Sequence, residues 1–195
     1  NGRFPVANVQ GWASHAVSHH SLSLMFACVR GLGGGKIRSS EGFPEGTFGK
    51  PPRKDIFELH NKTLGIIGVG RIGSHFAKKA FPLFKRILAF DPYQTARYMK
   101  GFRAVKTDLK GLLDHSHVIS LHCTLTEETH HMLNEASFRN MRNMPVIIHT
   151  SREHPHVIAT PHIGWYSDHA AGTLQKQAAR NMIALLTGGK TGDEL

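Results

Sequence analysis

The spacing of apolar residues predicts a helix near the start of the chain. Between residues 13 and 32 apolar positions recur at helical intervals, Ser and His lie between them, and Gly31 and Gly33 follow. This spacing predicts a helix with an apolar face and an opposite face of Ser and His, ended by glycine. The apolar positions are Val17, Leu24, Met25, Cys28, Val29 and Leu32. Residues 31–52, rich in Gly and Pro, predict a long surface loop that lines a cleft or connects two bodies.

Apolar runs then alternate with amphipathic segments. Residues 63–69 (TLGIIGV) form a continuous apolar run, as a strand buried on both faces requires. The other predicted strands are 86–90, a weak strand at 104–105, 117–122 and 146–150. The predicted helices are 72–84, 109–114, a helical turn at 127–133, 134–141 and 168–186. Alternation of this kind is typical of parallel strands joined by right-handed crossovers, so we expect an α/β domain with a doubly wound parallel sheet over residues 1–187, followed by a tail at 188–195.

Composition restricts the class of protein. The 195 residues are 40% hydrophobic and 19% charged, which excludes a wholly disordered chain and suffices for one well-packed domain. No apolar run of about 18 residues could span a bilayer, and no secretory signal is visible. Two cysteines, Cys28 and Cys123, provide no disulfide framework. We therefore expect a protein of the cytoplasm, with no membrane partner.

The charge balance adds a preference for anionic partners. The formal net charge is +10, and 15 histidines are counted as neutral in that figure. A basic balance favours dinucleotides, carboxylates or nucleic acid, although it also fits a solvated basic surface. The cations are spread along the chain without a basic run, so we expect no specific nucleic-acid binding. The histidine pairs at 19–20 and 130–131 have no Cys-x-x-Cys or HExxH motif beside them, so no metal site is predicted.

The motif GVGRIG, at residues 68–73, carries the strongest chemical signal. It directly follows a predicted strand and opens a predicted helix, which is the context that makes a glycine motif specific for dinucleotides. Gly68 permits the tight turn, Gly70 leaves room for a pyrophosphate, and Gly73 lets the helix pack closely on the strand. At Arg71 and Ile72 the helix N-terminus supplies N–H donors, and the guanidinium adds a positive charge.

A carboxylate completes this motif. Asp91 ends the next predicted strand, 18 residues after Gly73. A carboxylate at this position accepts both hydroxyls of the adenine ribose and repels a 2′-phosphate. The residues therefore predict binding of NAD in preference to NADP.

Five segments of the chain resemble the D-isomer-specific 2-hydroxyacid dehydrogenases. In chain order they are HNKTLGIIGVGRIGSHFAKKA, AFDPY, LLDHSHVISLHCTLTEETHHMLN, VIIHTSR and HVIATPHIGWYSDHA. This family includes glycerate, hydroxypyruvate and phosphoglycerate dehydrogenases and the co-repressors known as C-terminal binding proteins. The resemblance covers most of residues 6–187. It implies a Rossmann-type NAD-binding domain, hydride transfer between NAD(H) and a D-2-hydroxy acid or its 2-keto acid, and a homodimer.

The resemblance also implies roles for individual residues. His162, in the TPHIG segment, matches the family's catalytic histidine, and imidazole is suited to proton transfer because its pKa lies near working pH. Arg152, in the TSR segment, matches the arginine whose planar guanidinium holds the substrate carboxylate. The further cofactor-contacting residues that the resemblance implies are Cys123, Thr150, Ser151 and Gly164.

The chain departs from the family between Arg152 and His162. Only nine residues separate them, where the family has about a helix and a strand and keeps its catalytic Glu. A crossover between parallel strands takes about a dozen or more residues. We therefore expect that residues 152 and 153 are not neighbours in the complete polypeptide, although a genuine deletion is the alternative. The family's substrate domain is also largely missing, so we expect these residues alone to bind NAD weakly and to turn over little.

The sequence is compatible with two functions. The first is a dehydrogenase, and the alternative is an NAD(H)-binding co-repressor or sensor without physiological turnover. Trp165 and Tyr166 after the TPHIG segment, and the pair His130 and His131, are weakly similar to the co-repressor branch. Both features also fit enzymes.

Overall fold

The computed structural model describes residues 9–32, 56–149 and 167–187. These ranges contain, in chain order, α1 (Ser14–Val29), β1 (Thr63–Ile67), α2 (Arg71–Ala80), β2 (Arg86–Phe90), α3 (Ala96–Lys100), β3 (Ala104–Lys106), α4 (Leu109–His115), β4 (Val118–Leu121), α5 (Glu135–Arg139), β5 (Val146–His149) and α6 (Asp168–Leu186). A short 3-10 helix directly follows α2. Most of the predicted loop over 31–52 and the junction between residues 152 and 153 lie outside the described residues.

All five strands are parallel and lie in the order β3-β2-β1-β4-β5. The chain adds β2 and β3 on one side of β1 and then crosses over to add β4 and β5 on the other side. Ile67 pairs with Phe90 of β2 and with Leu121 of β4, so the carboxyl ends of these three strands lie level. The predicted doubly wound sheet is confirmed. Its order reverses at β1 and β4, and ligands of such sheets bind outside the carboxyl ends of the strands at that point.

Each face of the sheet is covered by its own hydrophobic cluster. Every residue of β1 is buried, as the apolar run predicted. Ile66 packs into the cluster that includes Phe76 of α2 and residues of α1. Its neighbour Ile67 points to the opposite face and packs with Leu112 of α4. Because successive side chains of a strand alternate between faces, an apolar run at β1 places this strand at the centre of the sheet.

In helix α1 one prediction from the sequence is wrong. Ser14, Ser18 and Ser21 are buried together with the apolar residues of the helix, whereas a face of Ser and His opposite the apolar face was expected. The Ser18 and Ser21 hydroxyls donate to backbone carbonyls one turn earlier, at 2.8 and 2.9 Å, so burial leaves neither without a partner. Leu32, assigned to the apolar face, lies beyond the helix and is 52% exposed.

The other differences concern short elements. Helix α3 was not predicted; its N-terminus is capped by the side chain of Thr95, which accepts from the Tyr98 N–H. Residues 127–133 form turns, in which the His130 N–H bonds to the Thr126 carbonyl at 2.8 Å, in agreement with a single helical turn. The bounds of β2 and α6 agree with the predicted ones.

Candidate functional site

The glycine turn joins β1 to α2 at the carboxyl edge of the sheet. Gly68 has a φ of +83°, and a Cβ there would lie 2.7 Å from the backbone nitrogen of Cys123. A Cβ at Gly73 would lie 2.1 Å from the Gly68 carbonyl oxygen. Both positions therefore require glycine. Gly68 has a left-handed backbone conformation and contacts the segment after β4. Gly73 lets α2 approach the turn closely.

Gly70 differs, because the fold itself does not require glycine there. Apart from Gly70 itself and its two chain neighbours, no atom of the described residues lies within 4 Å of the position that a Cβ on Gly70 would take. Gly70 precedes the first residue of α2, no side chain of the described residues caps this helix, and its first turn holds no acidic residue. The N–H groups of a first helical turn have no acceptor within the helix. An anion can therefore approach the backbone closely at Gly70 and accept hydrogen bonds from the turn, which fits a pyrophosphate.

Arg71 places a cation at the same helix terminus. Its side chain is exposed, and its Nη2 donates to Oε1 of Gln10 at 2.7 Å. Gly11, with a φ of +72°, lies against the Arg71 side chain; a Cβ there would be 3.1 Å from Cδ. The segment before α1 thus restricts where the guanidinium can lie. The next residue, Ile72, is half-buried in the first turn.

Asp91 lies beside the turn, at the end of β2. The side chain is nearly buried, with 9% of the residue exposed. Its Oδ2 accepts a hydrogen bond from the backbone N–H of Val69 at 2.9 Å, and its Oδ1 accepts from the N–H of Tyr93 at 3.0 Å. Since each carboxylate oxygen has two acceptor sites, both retain capacity for hydroxyl donors from a ribose.

Cys123 and His122 follow β4 on the other side of the turn. Burial raises the pKa of the half-buried Cys123 thiol, so this side chain stays protonated near neutrality. It therefore behaves as a small apolar residue. The imidazole of His122 packs on the Phe76 ring, with 5.0 Å between ring centroids, and its Nε2 lies 2.9 Å from the Ser120 hydroxyl. Burial, with a smaller contribution from His149, lowers the pKa of His122 to about 3. His122 is therefore neutral at physiological pH.

The His122 pKa leads to a pH-dependent stability. In the unfolded chain this histidine takes up a proton below about pH 6.5, whereas in the folded chain it stays neutral down to about pH 3. Unfolding thus binds a proton between these values, and stability is lost as the pH falls. We expect the free energy of unfolding to drop by about 1–2 kcal/mol more in wild type than in His122→Gln between pH 7.5 and pH 5.

Urea denaturation at both pH values measures this difference. Equal pH dependence in His122→Gln and wild type would contradict the assignment of an imidazole that stays neutral in the folded chain.

The structure brings together seven of the residues singled out in the sequence. They are Gly68, Gly70, Arg71, Ile72, Gly73, Asp91 and Cys123. The remaining five, Thr150, Ser151, Arg152, His162 and Gly164, lie outside the described residues. Sequence reasoning missed Gln10, which contacts Arg71, and Tyr93, which contacts Asp91. The position of Tyr93 two residues after Asp91 was an available signal, because Asp side chains often bond the backbone N–H two residues on.

A cavity of about 760 Å³ lies between α1 and the start of α6. Polar side chains on both helices line it, among them His15 and His19 of α1 and His169 and Gln177 of α6. Gln10 also lines this cavity and, as described above, bonds to Arg71. Gln10 therefore links the cavity to the first residue of α2.

In the part of the chain that the structure describes, no three His, Cys, Asp or Glu side chains are arranged to hold a metal ion. None of the helices within residues 9–32, 56–149 and 167–187 combines the length and apolar character required to cross a bilayer.

Comparison with known proteins identifies the family. A family model for the D-isomer specific 2-hydroxyacid dehydrogenase NAD-binding domain matches residues 22–154. D-lactate dehydrogenase of Escherichia coli is 37% identical over 150 residues, which cover 75% of this chain and 43% of that protein. Hydroxypyruvate reductase of Thermotoga maritima is 35% identical over 147 residues, which cover 75% of this chain and 45% of that protein. The chain thus spans less than half the length of these two relatives.

Solved structures agree with the described fold. The apo structure of D-lactate dehydrogenase from Escherichia coli superposes with a TM-score of 0.82 at 26% identity, covering 98% of this chain and 71% of that one. D-lactate dehydrogenase with NAD+ from Lactobacillus jensenii superposes with a TM-score of 0.78 at 20% identity, covering 98% of this chain and 71% of that one. At 20% identity this similarity shows a shared fold alone. Since the family model covers most of the chain and the sheet is the one these enzymes share, the chain belongs to the D-isomer specific 2-hydroxyacid dehydrogenase family, in its NAD-binding domain.

Proposed function

We propose that the complete protein is an NAD-dependent dehydrogenase that interconverts a 2-keto acid and a D-2-hydroxy acid. One observation carries this proposal. In a chain of this family, Asp91 is hydrogen-bonded to the glycine turn at the point where the strand order of the sheet reverses. The names of the two relatives, a D-lactate dehydrogenase and a hydroxypyruvate reductase, support a small 2-hydroxy acid as the substrate class.

The residues of the turn would hold the cofactor. The first N–H groups of α2 and the guanidinium of Arg71 would bind the diphosphate, which the open space at Gly70 admits. Asp91 would accept the hydroxyls of the adenine ribose. The other proposed contacts are Gly68, Ile72, Gly73, Cys123, Thr150, Ser151 and Gly164. When bound, NADH supplies the hydride that adds to the keto carbon.

His162 and Arg152 would complete the reaction. As the hydride reaches the keto carbon, the C=O π electrons move to oxygen, and protonated His162 would transfer its proton there. Arg152 would hold the carboxylate and polarise the neighbouring carbonyl. The acid that orients the histidine in the family has no assigned counterpart here. Glycerate dehydrogenase of Methylorubrum extorquens aligns over 228 positions, more than the 195 residues of this chain, which supports a segment missing from it.

Cofactor binding and turnover are tested separately on the purified protein, expressed from its complete coding sequence. Titration with NADH measures binding, and loss of NADH absorbance with pyruvate, hydroxypyruvate or glyoxylate measures turnover. We expect tight binding and NADH oxidation with at least one of these acids. Tight NADH binding without oxidation on any of a broad panel of 2-keto acids would instead favour the NAD(H)-binding sensor or co-repressor.

Replacing Asp91 tests the ribose contact. We expect Asp91→Ala to weaken NAD+ binding by about tenfold or more, because hydrogen bonds to a charged acceptor contribute about 1.5–3 kcal/mol. The ratio of NADP+ to NAD+ dissociation constants should fall as well, since the charge that repels a 2′-phosphate is lost. Asp91→Asn is the control: it keeps a carbonyl acceptor for one of the N–H groups of Val69 and Tyr93. An unchanged ratio in both variants would remove Asp91 from cofactor discrimination.

The assembly and the compartment are further proposals. We propose a twofold homodimer in the cytoplasm, in which α1 and the segment 31–52 take part in the contact. Phe26 in the last turns of α1 and Leu32 just beyond the helix are exposed apolar residues that such a contact would bury. Sedimentation equilibrium of the complete protein measures the mass, and a monomer at micromolar concentration would overturn the dimer.

A further inference from the structure

A second carboxylate lies near the sugar-binding aspartate. The hydroxyl of Tyr93 donates a hydrogen bond to Oε2 of Glu128, while the backbone N–H of the same tyrosine donates to Oδ1 of Asp91. Glu128 belongs to the segment after β4, and Tyr93 to the segment after β2. These strands flank β1, so the contact joins two segments that leave the sheet on either side of the glycine turn.

The charges around Tyr93 are mostly negative. The hydrogen bond to Glu128, the charge of Glu128 and the charge of Asp91 all raise the pKa of the Tyr93 phenol, so the hydroxyl stays a donor at physiological pH. Two acids thus lie at this end of the site, although the whole chain has a net charge of +10.

We propose that Glu128 is a second residue that determines cofactor specificity, by disfavouring a phosphate on the adenine ribose. This inference rests on the proposed binding of NAD. A 2′-phosphate carries up to two negative charges, and it would have to lie beside Asp91, which Tyr93 links to Glu128. The repulsion acts on NADP+ and not on NAD+, whose ribose hydroxyls are neutral. Tyr93 is a positioning residue, because it holds the Glu128 carboxylate at this end of the site.

The two acids should differ in their response to salt. Asp91 is nearly buried, and its contribution includes direct hydrogen bonds to ribose hydroxyls, which salt screens little. Glu128 is exposed. Its effect on a 2′-phosphate is purely an electrostatic repulsion through solvent, which salt screens. The Debye length falls from about 8 Å at physiological ionic strength to about 3 Å at 1 M. The share of specificity that Glu128 provides should therefore disappear at high salt, whereas the share that Asp91 provides should remain.

The test measures dissociation constants of NAD+ and NADP+ by calorimetry for wild type, Glu128→Gln and Glu128→Lys. We expect Glu128→Gln to lower the ratio of the NADP+ constant to the NAD+ constant by about threefold to fivefold at low salt. Glu128→Lys should lower it further, because attraction replaces repulsion. The NAD+ constant should change less than about twofold in Glu128→Gln, and the difference from wild type should vanish near 1 M salt.

Two controls separate charge from structure. Glu127→Gln removes the same charge one residue away and should leave the ratio as in wild type. Tyr93→Phe keeps both carboxylates but frees Glu128, and it should lower the ratio by less than Glu128→Gln does. If NAD+ binds to all variants and the ratio in Glu128→Gln equals that of wild type, Glu128 has no part in specificity. If the wild-type complete protein, in which all variants are made, binds no NAD+, the proposed function itself is wrong.

Discussion

Replacing Gly73 by alanine is expected to destabilise the fold by about 3 kcal/mol or more. The added methyl group would lie 2.1 Å from the carbonyl oxygen of Gly68. That oxygen belongs to the backbone of the turn after β1, so it cannot swing away as the end of a side chain could. Helix α2 would have to move off the strand and disrupt the packing of Phe76, which is fully buried. Denaturation in urea, followed by circular dichroism, measures the loss.

Gly70→Ala is the matched control, since it adds the same methyl group three residues earlier in the same turn. The backbone there has a φ of −66°, and apart from Gly70 and its two chain neighbours no described residue has an atom within 4 Å of the added group. We expect the free energy of unfolding to stay within about 0.5 kcal/mol of wild type. NAD+ affinity should fall by at least about tenfold, because the methyl group occupies the space through which a pyrophosphate approaches the backbone.

Together the two variants separate folding from binding at one turn. Wild-type stability in Gly73→Ala would contradict the close approach of α2 to the turn. Wild-type NAD+ affinity in Gly70→Ala would show that the diphosphate does not lie at this turn.

Replacing His162 by alanine in the complete protein is expected to reduce kcat by about a thousandfold, within the range that general acid–base catalysis contributes. The reason is chemical, because hydride addition to a keto carbon leaves charge on oxygen unless a proton arrives there. NADH affinity should stay close to wild type, since the histidine acts on the substrate oxygen. Steady-state kinetics with the best 2-keto acid, together with NADH titration, measure both quantities.

His60→Ala is the control for loss of a histidine as such, because its side chain is 65% exposed in the segment before β1. It should retain wild-type kcat. A loss of less than about tenfold in His162→Ala would exclude this residue as the acid, and an equal loss of NADH affinity would point to cofactor binding instead.

Some structural features follow from local chemistry. A continuous apolar run can only be a strand covered on both faces or a buried helix segment, and the turn signals at each end of 63–69 favour the strand. The bounds of β2 follow similarly, because Asp91 and the proline after it end the strand. In each case the deciding interactions lie within a few residues along the chain.

Other features depend on partners far away in sequence. The serines of α1 have polar side chains, yet Ser18 and Ser21 are buried. Their hydroxyls bond to carbonyls of the same helix, and their small size lets α2 pack against it. The Nζ of Lys79 in α2 donates a hydrogen bond to the Ser18 hydroxyl at 2.5 Å. Hydrophobic periodicity assigns residues to faces by polarity alone, so it could not recognise this face.

For the site, the sequence by itself determined the glycine turn, the acid that follows it and the family, because glycine spacing and the succession of strands and helices are patterns along the chain. Only the tertiary structure decided which groups Asp91 and Arg71 bind. Val69 lies 22 residues from Asp91 and Gln10 lies 61 residues from Arg71. Glu128 lies 35 residues from Tyr93. Parallel strands bring such residues together at one edge of the sheet, and no local pattern records which strands become neighbours.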